Sequence, residues 1–274
     1  MAKPGWMMRM AEGGSVTVTD AAGVAPLRHR LRQGAPVGLM WFSIGAPALI
    51  EIALEAAEGT NGGGAIVIDA QHGLWSRSGI EAAVGAVAGR MPVLVRVADH
   101  GMTGIAQALD SGADGVIVPL IETAEQAAAV VAAARFPPEG ARSAGGVRPL
   151  KGGFGPYLAR SREQTVVAVM IETRAGLADA AAIAATPGID LVFIGTGDLA
   201  LALGDEAAEE LEPACETVRA ACATAGIACG RFTGQPAEAR VAVATGYPVG
   251  VVAIDIDTVA EAFRGAWEVY SGTG

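Results

Sequence analysis

Short apolar runs recur along the chain from residue 38 onward, and their length and spacing are typical of buried β-strands. Most runs are apolar without alternation, which indicates strands covered on both faces. They lie at residues 38–43, 65–69, 92–97, 115–120, 166–172, 191–195, 227–232 and 249–254. Ala-rich segments with helical spacing separate most of them, at 46–57, 80–87, 124–134, 176–185 and 213–225. Eight such units predict an α/β fold, a single closed (β/α)8 TIM barrel, rather than an open doubly wound sheet.

Three segments depart from this rhythm. Residues 1–26 lack sustained periodicity and are interpreted as an N-terminal arm, followed by a barrel domain at 27–274. The glycine cluster at 61–64 lacks the Lys-Ser/Thr of a phosphate loop and predicts a flexible loop instead. Residues 137–161 are rich in Gly, Arg and Pro and predict a long irregular connection in place of a helix. A connection of that length in a compact domain is typical of a lid or an oligomer contact.

Composition narrows the range of partners. The chain has 274 residues, which suits one barrel domain, and a formal net charge of −10, which disfavours nucleic acid as a partner. No stretch is long and apolar enough to cross a bilayer, and the first residues lack the apolar region of a signal peptide. We therefore expect a cytoplasmic protein with no nucleic-acid or membrane partner. Small anionic substrates stay possible, because a few Arg side chains and a cation can reverse the field inside a cleft.

Two carboxylates follow apolar strands on the predicted catalytic rim. Glu172 ends the fifth strand and Asp198 follows the sixth, so neighbouring strands of a barrel bring both to one side of the mouth. Oxygen ligands of this kind suit Mg²⁺ or Mn²⁺. Each residue also has a purely structural interpretation: Glu172 as a salt bridge to Arg174 or Arg142, and Asp198 as a helix cap. The pair therefore carries more weight than either member.

Other polar residues surround the same rim. Arg96 ends the third strand, where a developing oxyanion or a carboxylate is its natural partner. His72 lies just past the second strand beside an acid and is the leading general acid/base candidate. The turn 195–197 frees backbone N–H groups for a substrate carboxylate or phosphate, although an ordinary strand-to-helix turn explains it equally well. Asp110, taken alone, has the position of a turn residue before a glycine.

These residues occur in segments that resemble the HpcH/HpaI aldolase family, the metal-dependent class II pyruvate aldolases. The segments are IDAQHG, VLVRV, VPLIETAEQA, RFPPEGARSAGG, MIETRAGL and PGIDLVFIGTGDLALALG, and the resemblance spans about residues 27–262. It implies that Arg96 holds the keto oxygen and that His72 acts as base with Asp110 paired to it. The remaining matched positions are the metal ligands Glu172 and Asp198 and the carboxylate-binding amides of Thr196, Gly197 and Asp198. Gln71 and Met170 stand where many members carry Glu and Gln, so the aldehyde and the donor are left open.

The resemblance implies a lyase that needs a divalent cation (Mg, Mn or Co) and that forms or cleaves 4-hydroxy-2-oxo acids. The substrates would be pyruvate or hydroxypyruvate, as the enolate, and an aldehyde. No strand-end lysine is present to form a Schiff base, since Lys151 lies in the irregular connection and Lys3 in the arm. The family also implies a homo-oligomer, often a hexamer, whose last helix packs on a neighbouring barrel. Two alternatives are kept: a citrate-lyase-like C–C lyase acting on a CoA thioester, and a non-catalytic 2-oxo acid binding protein.

Overall fold

A computed structural model describes residues 25–58 and 63–272 and shows a closed barrel of eight parallel strands in sequential order. Each strand lies within two residues of the segment that the apolar runs predict, so the TIM barrel is confirmed. The N-terminal arm lies almost entirely outside the described residues, as do positions 61 and 62 of the glycine cluster. The strands are β1 (Val37–Phe42), β2 (Gly64–Asp69), β3 (Val93–Arg96), β4 (Gly115–Val118), β5 (Val166–Ile171), β6 (Leu191–Ile194), β7 (Ala228–Arg231) and β8 (Val249–Ile254).

Helices fill the connections between strands, with two differences from the sequence prediction. The irregular 137–161 segment ends in a helix, α6, and the segment 176–185 forms two short helices instead of one. In order, the helices are α1 (Leu27–Arg32), α2 (Pro47–Ala57), α3 (Arg77–Val87), α4 (Met102–Asp110), α5 (Ala124–Ala134), α6 (Phe154–Gln164), α7 (Arg174–Ala178), α8 (Ala180–Ala184), α9 (Thr196–Leu203), α10 (Ala207–Ala225), α11 (Pro236–Ala244) and α12 (Asp255–Ser271). A short 3-10 helix, Gly204–Glu206, joins α9 to α10.

Two apolar layers hold the barrel together. Alternate strand residues fill the interior, where Trp41 stacks on Phe193 at 6.0 Å between ring centroids. The intervening residues pack outward against the helices. Because side chains alternate along a strand, polar residues that continue the inward series past the last apolar position point into the mouth of the barrel. Ser43, Asp69 and Glu172 continue this series, and Arg96 occupies an inward position at the end of β3.

The amino end of the barrel is closed. Helix α1 covers it with Leu27 and Leu31, and Arg28 donates to the buried carboxylate of Asp190 at 2.7 Å. Arg135 donates to the other oxygen of that carboxylate at 3.0 Å. The interior therefore opens only at the carboxyl ends of the strands within the described residues, which is where catalytic groups collect in this fold.

The last helix stands apart from the rest of the chain. Helix α12 is anchored at its first residue and leaves Phe263, Trp267 and Tyr270 exposed by 74%, 68% and 82%. Across residues 25–58 and 63–272 no helix combines the length and apolar character needed to cross a bilayer.

Candidate active site

A buried ion pair lies at the centre of the mouth. Asp69 and Arg96 are register partners on β2 and β3, and Arg96 donates to both carboxylate oxygens, from Nε at 2.8 Å and from Nη2 at 2.6 Å. Burial acts to raise the pKa of Asp69, but the hydrogen bonds and charge of Arg96 outweigh it and the pKa is lowered. The carboxylate therefore stays ionised and fixes the guanidinium in one orientation.

Two further side chains support this pair. The indole N–H of Trp41 donates to Asp69 at 3.3 Å, and its ring lies 4.9 Å below the Arg96 guanidinium carbon. The Ser43 hydroxyl donates to the same carboxylate at 3.2 Å. The backbone N–H of Ser43 in turn donates to Asp255, the first residue of α12, at 2.9 Å. A continuous set of hydrogen bonds thus links the base of α12 to the orientation of Arg96.

Glu172 lies directly after β5 with one oxygen satisfied and the other free. It is 1% exposed, and its Oε1 accepts the Leu120 backbone N–H at 2.8 Å. Its Oε2 is buried, lies so close to Gly195 that a Cβ atom there would overlap it, and makes no hydrogen bond within the described residues. Burial raises the pKa of Glu172, the Leu120 N–H lowers it, and the negative charge of Asp198 raises it further. A buried carboxylate oxygen without a donor calls for a cation.

The salt-bridge interpretation of Glu172 is wrong. Arg174 donates instead to Glu206 at 2.7 Å, and Arg142 donates to Asp110 at 2.8 Å. Neither arginine neutralises the free oxygen of Glu172, so the residue is not explained by a structural ion pair.

Asp198 lies in the first turn of α9, close enough to Glu172 for its negative charge to raise the pKa of that carboxyl. The N-cap of α9 is Gly195, which has no side chain to occupy the first amides. Asp198 is exposed and makes no side-chain hydrogen bond within the described residues, whereas the Thr196 hydroxyl donates to the Phe232 carbonyl at 3.1 Å. The amides of Thr196, Gly197 and Asp198 thus form the positive end of a helix that opens on the mouth.

The two carboxylates fit a divalent cation of the hard, oxygen-binding type. One ligand oxygen is buried and unpaired, and the other carboxylate is exposed nearby, which leaves room for water or substrate oxygens. The described part of the chain contains no group of three or more His, Cys, Asp or Glu side chains that could hold a metal ion.

His72 lies on the same rim. It is exposed in the turn after β2, and its backbone N–H donates to Asp69 at 3.2 Å. Asp69 therefore fixes both the Arg96 guanidinium and the backbone turn that carries His72. Asp69 and Ser43 lie at strand ends on the predicted rim, but the sequence does not indicate that Asp69 pairs with Arg96.

Asp110 does not lie beside His72 within one chain, so the pairing that the resemblance implies stays a prediction for a contact between two chains. It closes α4, and the chain reaches the amino end of β3 four residues later, where the Asp114 N–H donates to the Val93 carbonyl at 2.8 Å. Helix α4 runs back along the barrel, so Asp110 lies at the end opposite to His72. There Arg142 holds its carboxylate and also donates to the Tyr157 hydroxyl at 2.5 Å.

Known proteins are similar to this chain in both sequence and fold. The profile of the family HpcH/HpaI aldolase/citrate lyase matches residues 39–262. A 4-hydroxy-2-oxovalerate aldolase from Novosphingobium aromaticivorans is 37% identical over 236 residues, which cover 85% of this chain and 81% of the relative. A hydroxypyruvate/pyruvate aldolase from Chromohalobacter salexigens is 34% identical over 185 residues, 65% of this chain and 73% of the relative.

A solved structure agrees with these relatives. The crystal structure of an HpcH/HpaI aldolase/citrate lyase family protein from Burkholderia cenocepacia superposes with a TM-score of 0.81 at 32% identity, over 89% of this chain and 98% of that one. The chain therefore belongs to the HpcH/HpaI aldolase/citrate lyase family and is an enzyme of the lyase class.

Proposed function

We propose that this enzyme is a divalent-metal-dependent aldolase that cleaves and forms 4-hydroxy-2-oxo acids, with pyruvate or hydroxypyruvate as the 2-oxo acid. The observation that carries the proposal is the buried, unpaired Oε2 of Glu172 beside Asp198 and Arg96. The aldolase names of the relatives support the reaction class.

Glu172 and Asp198 would hold the cation, with Mg, Mn and Co all compatible with oxygen ligands. When bound, the cation supplies Lewis-acid stabilisation of negative charge on the keto oxygen of the substrate. Arg96 uses two of its N–H groups on Asp69, and its other donors are available to the same keto oxygen. Because Asp69 and Trp41 fix the guanidinium before substrate arrives, little reorganisation is needed as charge develops.

The amides at the start of α9 would receive the substrate carboxylate. Thr196, Gly197 and Asp198 present them at the positive end of the helix dipole, and a side-chain atom at Gly197 would meet nothing within 4 Å. Carboxylate and keto oxygen would then be held together, and C3 of the 2-oxo acid would face the rim that carries His72.

His72 would remove a proton from C3, directly or through a water molecule, as the keto oxygen gains negative charge. The C3 carbon of the enolate then bonds to the aldehyde carbon, and the aldehyde oxygen takes a proton. In the cleavage direction the 4-hydroxyl loses its proton, the C3–C4 bond breaks, and C3 regains a proton.

Asp110 can assist His72 only from a second copy of the chain, because the two residues lie at opposite ends of one barrel. The proposal therefore includes a homo-oligomer, with a hexamer as the expected form. The exposed aromatic face of α12 supports such an assembly, since Phe263, Trp267 and Tyr270 are largely exposed to water in the described chain. Light scattering after size exclusion measures the number of copies, and a monomer would contradict this part of the proposal.

Exchange of the C3 protons of pyruvate in D2O, followed by NMR with Mn²⁺ or Mg²⁺ present, tests the catalytic proposal. We expect exchange with the native enzyme, and none after chelation or in His72→Ala. Borohydride with pyruvate should leave no covalent adduct, since no lysine lies at a strand end. Exchange in the native enzyme excludes a mere 2-oxo acid binder. Turnover of a CoA thioester, without cleavage of 4-hydroxy-2-oxo acids, would favour the citrate-lyase-like alternative.

A further inference from the structure

Leu120 adopts a backbone conformation that leucine rarely takes. It follows β4 by two residues and has a φ of 56°, in the left-handed region that favours glycine. Among the described residues only one other non-glycine residue, Ala88, has a positive φ, and Ala88 ends helix α3 in the usual left-handed cap. The Leu120 side chain is 43% exposed, so packing of the side chain does not explain the unusual conformation.

The conformation directs two successive N–H groups toward the same strand. Leu120 donates to Oε1 of Glu172 at 2.8 Å, and Ile121 donates to the carbonyl of Met170 at 3.1 Å. Both acceptors belong to β5 or to the residue that follows it. In an extended strand, successive N–H groups point to opposite neighbours, so this arrangement requires a turn between them. The left-handed residue supplies that turn.

Glu172 is consequently held from two sides by backbone. The Leu120 N–H occupies Oε1, and Oε2 lies so close to Gly195 that a Cβ atom at that residue would overlap it. Oε2 is the oxygen that stays buried without a hydrogen bond, next to the residue that precedes α9. An N–H bonded to one oxygen of a metal-binding carboxylate fixes which oxygen is left for the metal.

We propose that Leu120 is a positioning residue of the metal site, whose left-handed backbone reserves Oε1 of Glu172 and leaves Oε2 for the cation. The inference rests on the proposed metal-dependent function. It assigns the role to the backbone N–H and not to the leucine side chain, and this distinction makes it testable.

The experiment measures binding of Mn²⁺ alone to the full-length protein, from the EPR signal of free Mn²⁺, in four variants at this position. Gly and Asn tolerate the left-handed region, Val strongly disfavours it, and Pro excludes it and has no N–H. We expect Leu120→Gly and Leu120→Asn to bind Mn²⁺ at least as tightly as the native protein. Leu120→Val should bind roughly tenfold more weakly, as for other residues that orient metal ligands, and Leu120→Pro more weakly still.

The matched controls are Ala88→Gly and Ala88→Val, which make the same backbone changes at the other left-handed position, away from the mouth. They should alter thermal stability and leave Mn²⁺ affinity unchanged. If Leu120→Pro does not fold, as judged by circular dichroism, Leu120→Val decides the question. Native-like affinity in Leu120→Val, or weakened affinity in Leu120→Gly, overturns the role of Leu120. Failure of the native protein to bind Mn²⁺, or native-like binding in Glu172→Gln, overturns the proposed function itself.

Discussion

Removing the charge of Glu172 is expected to stabilise the metal-free protein, although the residue is almost fully buried. As an ionised group it keeps one oxygen unpaired, and burial together with Asp198 raises its pKa, against the opposing effects of the Leu120 N–H and Arg96. Glu172→Gln retains the shape and the acceptor for Leu120 but carries no charge. Its amide NH2 group would occupy the position of Oε2, which has no hydrogen-bond partner within the described residues, and this reduces the gain in folding stability.

The size of the effect follows from the buried, unpaired oxygen. An unsatisfied buried polar atom costs about 1–3 kcal/mol, and more when it is charged, so replacing the charged group by the neutral one should stabilise the fold by about 1–2 kcal/mol. In a chain of this length about 1 kcal/mol corresponds to a change in Tm of about 2–4 °C. The metal-free Glu172→Gln protein should therefore melt about 2–8 °C above the metal-free native protein.

The pH dependence has a definite sign. A carboxyl whose folded-state pKa is raised above its ordinary value of 4.5 favours the folded state when protonated, and that contribution is lost as pH rises through the raised pKa. With chelator present, the difference in Tm between Glu172→Gln and the native protein should be small at acidic pH and should widen as pH rises. Because all other titrating groups are shared, the difference isolates position 172.

The assay is differential scanning fluorimetry at one fixed protein concentration, with EDTA or with Mn²⁺. Mn²⁺ should raise the Tm of the native protein and leave that of Glu172→Gln unchanged, since a ligand stabilises only a state that binds it. A Glu172→Gln protein less stable than the native in EDTA at neutral pH, or equally stabilised by Mn²⁺, would refute the reasoning.

Three further outcomes are expected. Asp69→Asn removes the charge that orients Arg96 and should lower kcat by about 10²-fold, the usual cost of a misplaced catalytic group; a kcat within threefold of native would contradict this. Gly195→Ala places a methyl group against the free carboxylate oxygen and should abolish Mn²⁺ binding measured by EPR, whereas Gly155→Ala, which meets nothing within 4 Å, should not. Dissociating and reassembling a mixture of His72→Ala and Asp110→Ala subunits should restore aldolase activity, because some interfaces then carry both native residues; activity no higher than that of the separate variants would show that the two residues do not meet.

The barrel and part of its candidate site follow from the regular recurrence of apolar runs along the sequence. Apolar runs in the sequence locate all eight strands. The positions of Arg96 and Glu172 at the ends of two of these runs predict that both side chains lie in the mouth. Asp69 also lies at the end of such a run, and its pairing with Arg96 is a matter of strand register. Register between parallel strands depends on how the barrel closes, and a single sequence does not state this. The pairing of Asp69 with Arg96 could therefore not be predicted.

Features that depend on irregular backbone could not be predicted. The glycine-rich composition of 137–161 indicated a loop, yet the segment Phe154–Gln164 is a helix because Tyr157 packs edge-on against Phe136 at 5.5 Å. Leucine has no preference for the left-handed conformation seen at Leu120, so no sequence signal marks it. The position of Asp110 was a different difficulty, since its partner in one chain is Arg142 and the expected partner lies at the other end of the barrel.

The charges at the mouth indicate an order of binding. Asp69 already neutralises Arg96, so when Glu172 and Asp198 are ionised these four groups present an excess of negative charge to an arriving 2-oxo acid anion. The amides at the start of α9 contribute only partial positive charge, equivalent to roughly half an elementary charge. An anionic substrate is therefore attracted only after a divalent cation has offset the two carboxylates. Asp69 therefore has two effects on Arg96. It holds the guanidinium in place, and it cancels the positive charge that would otherwise attract the substrate anion to the metal-free enzyme.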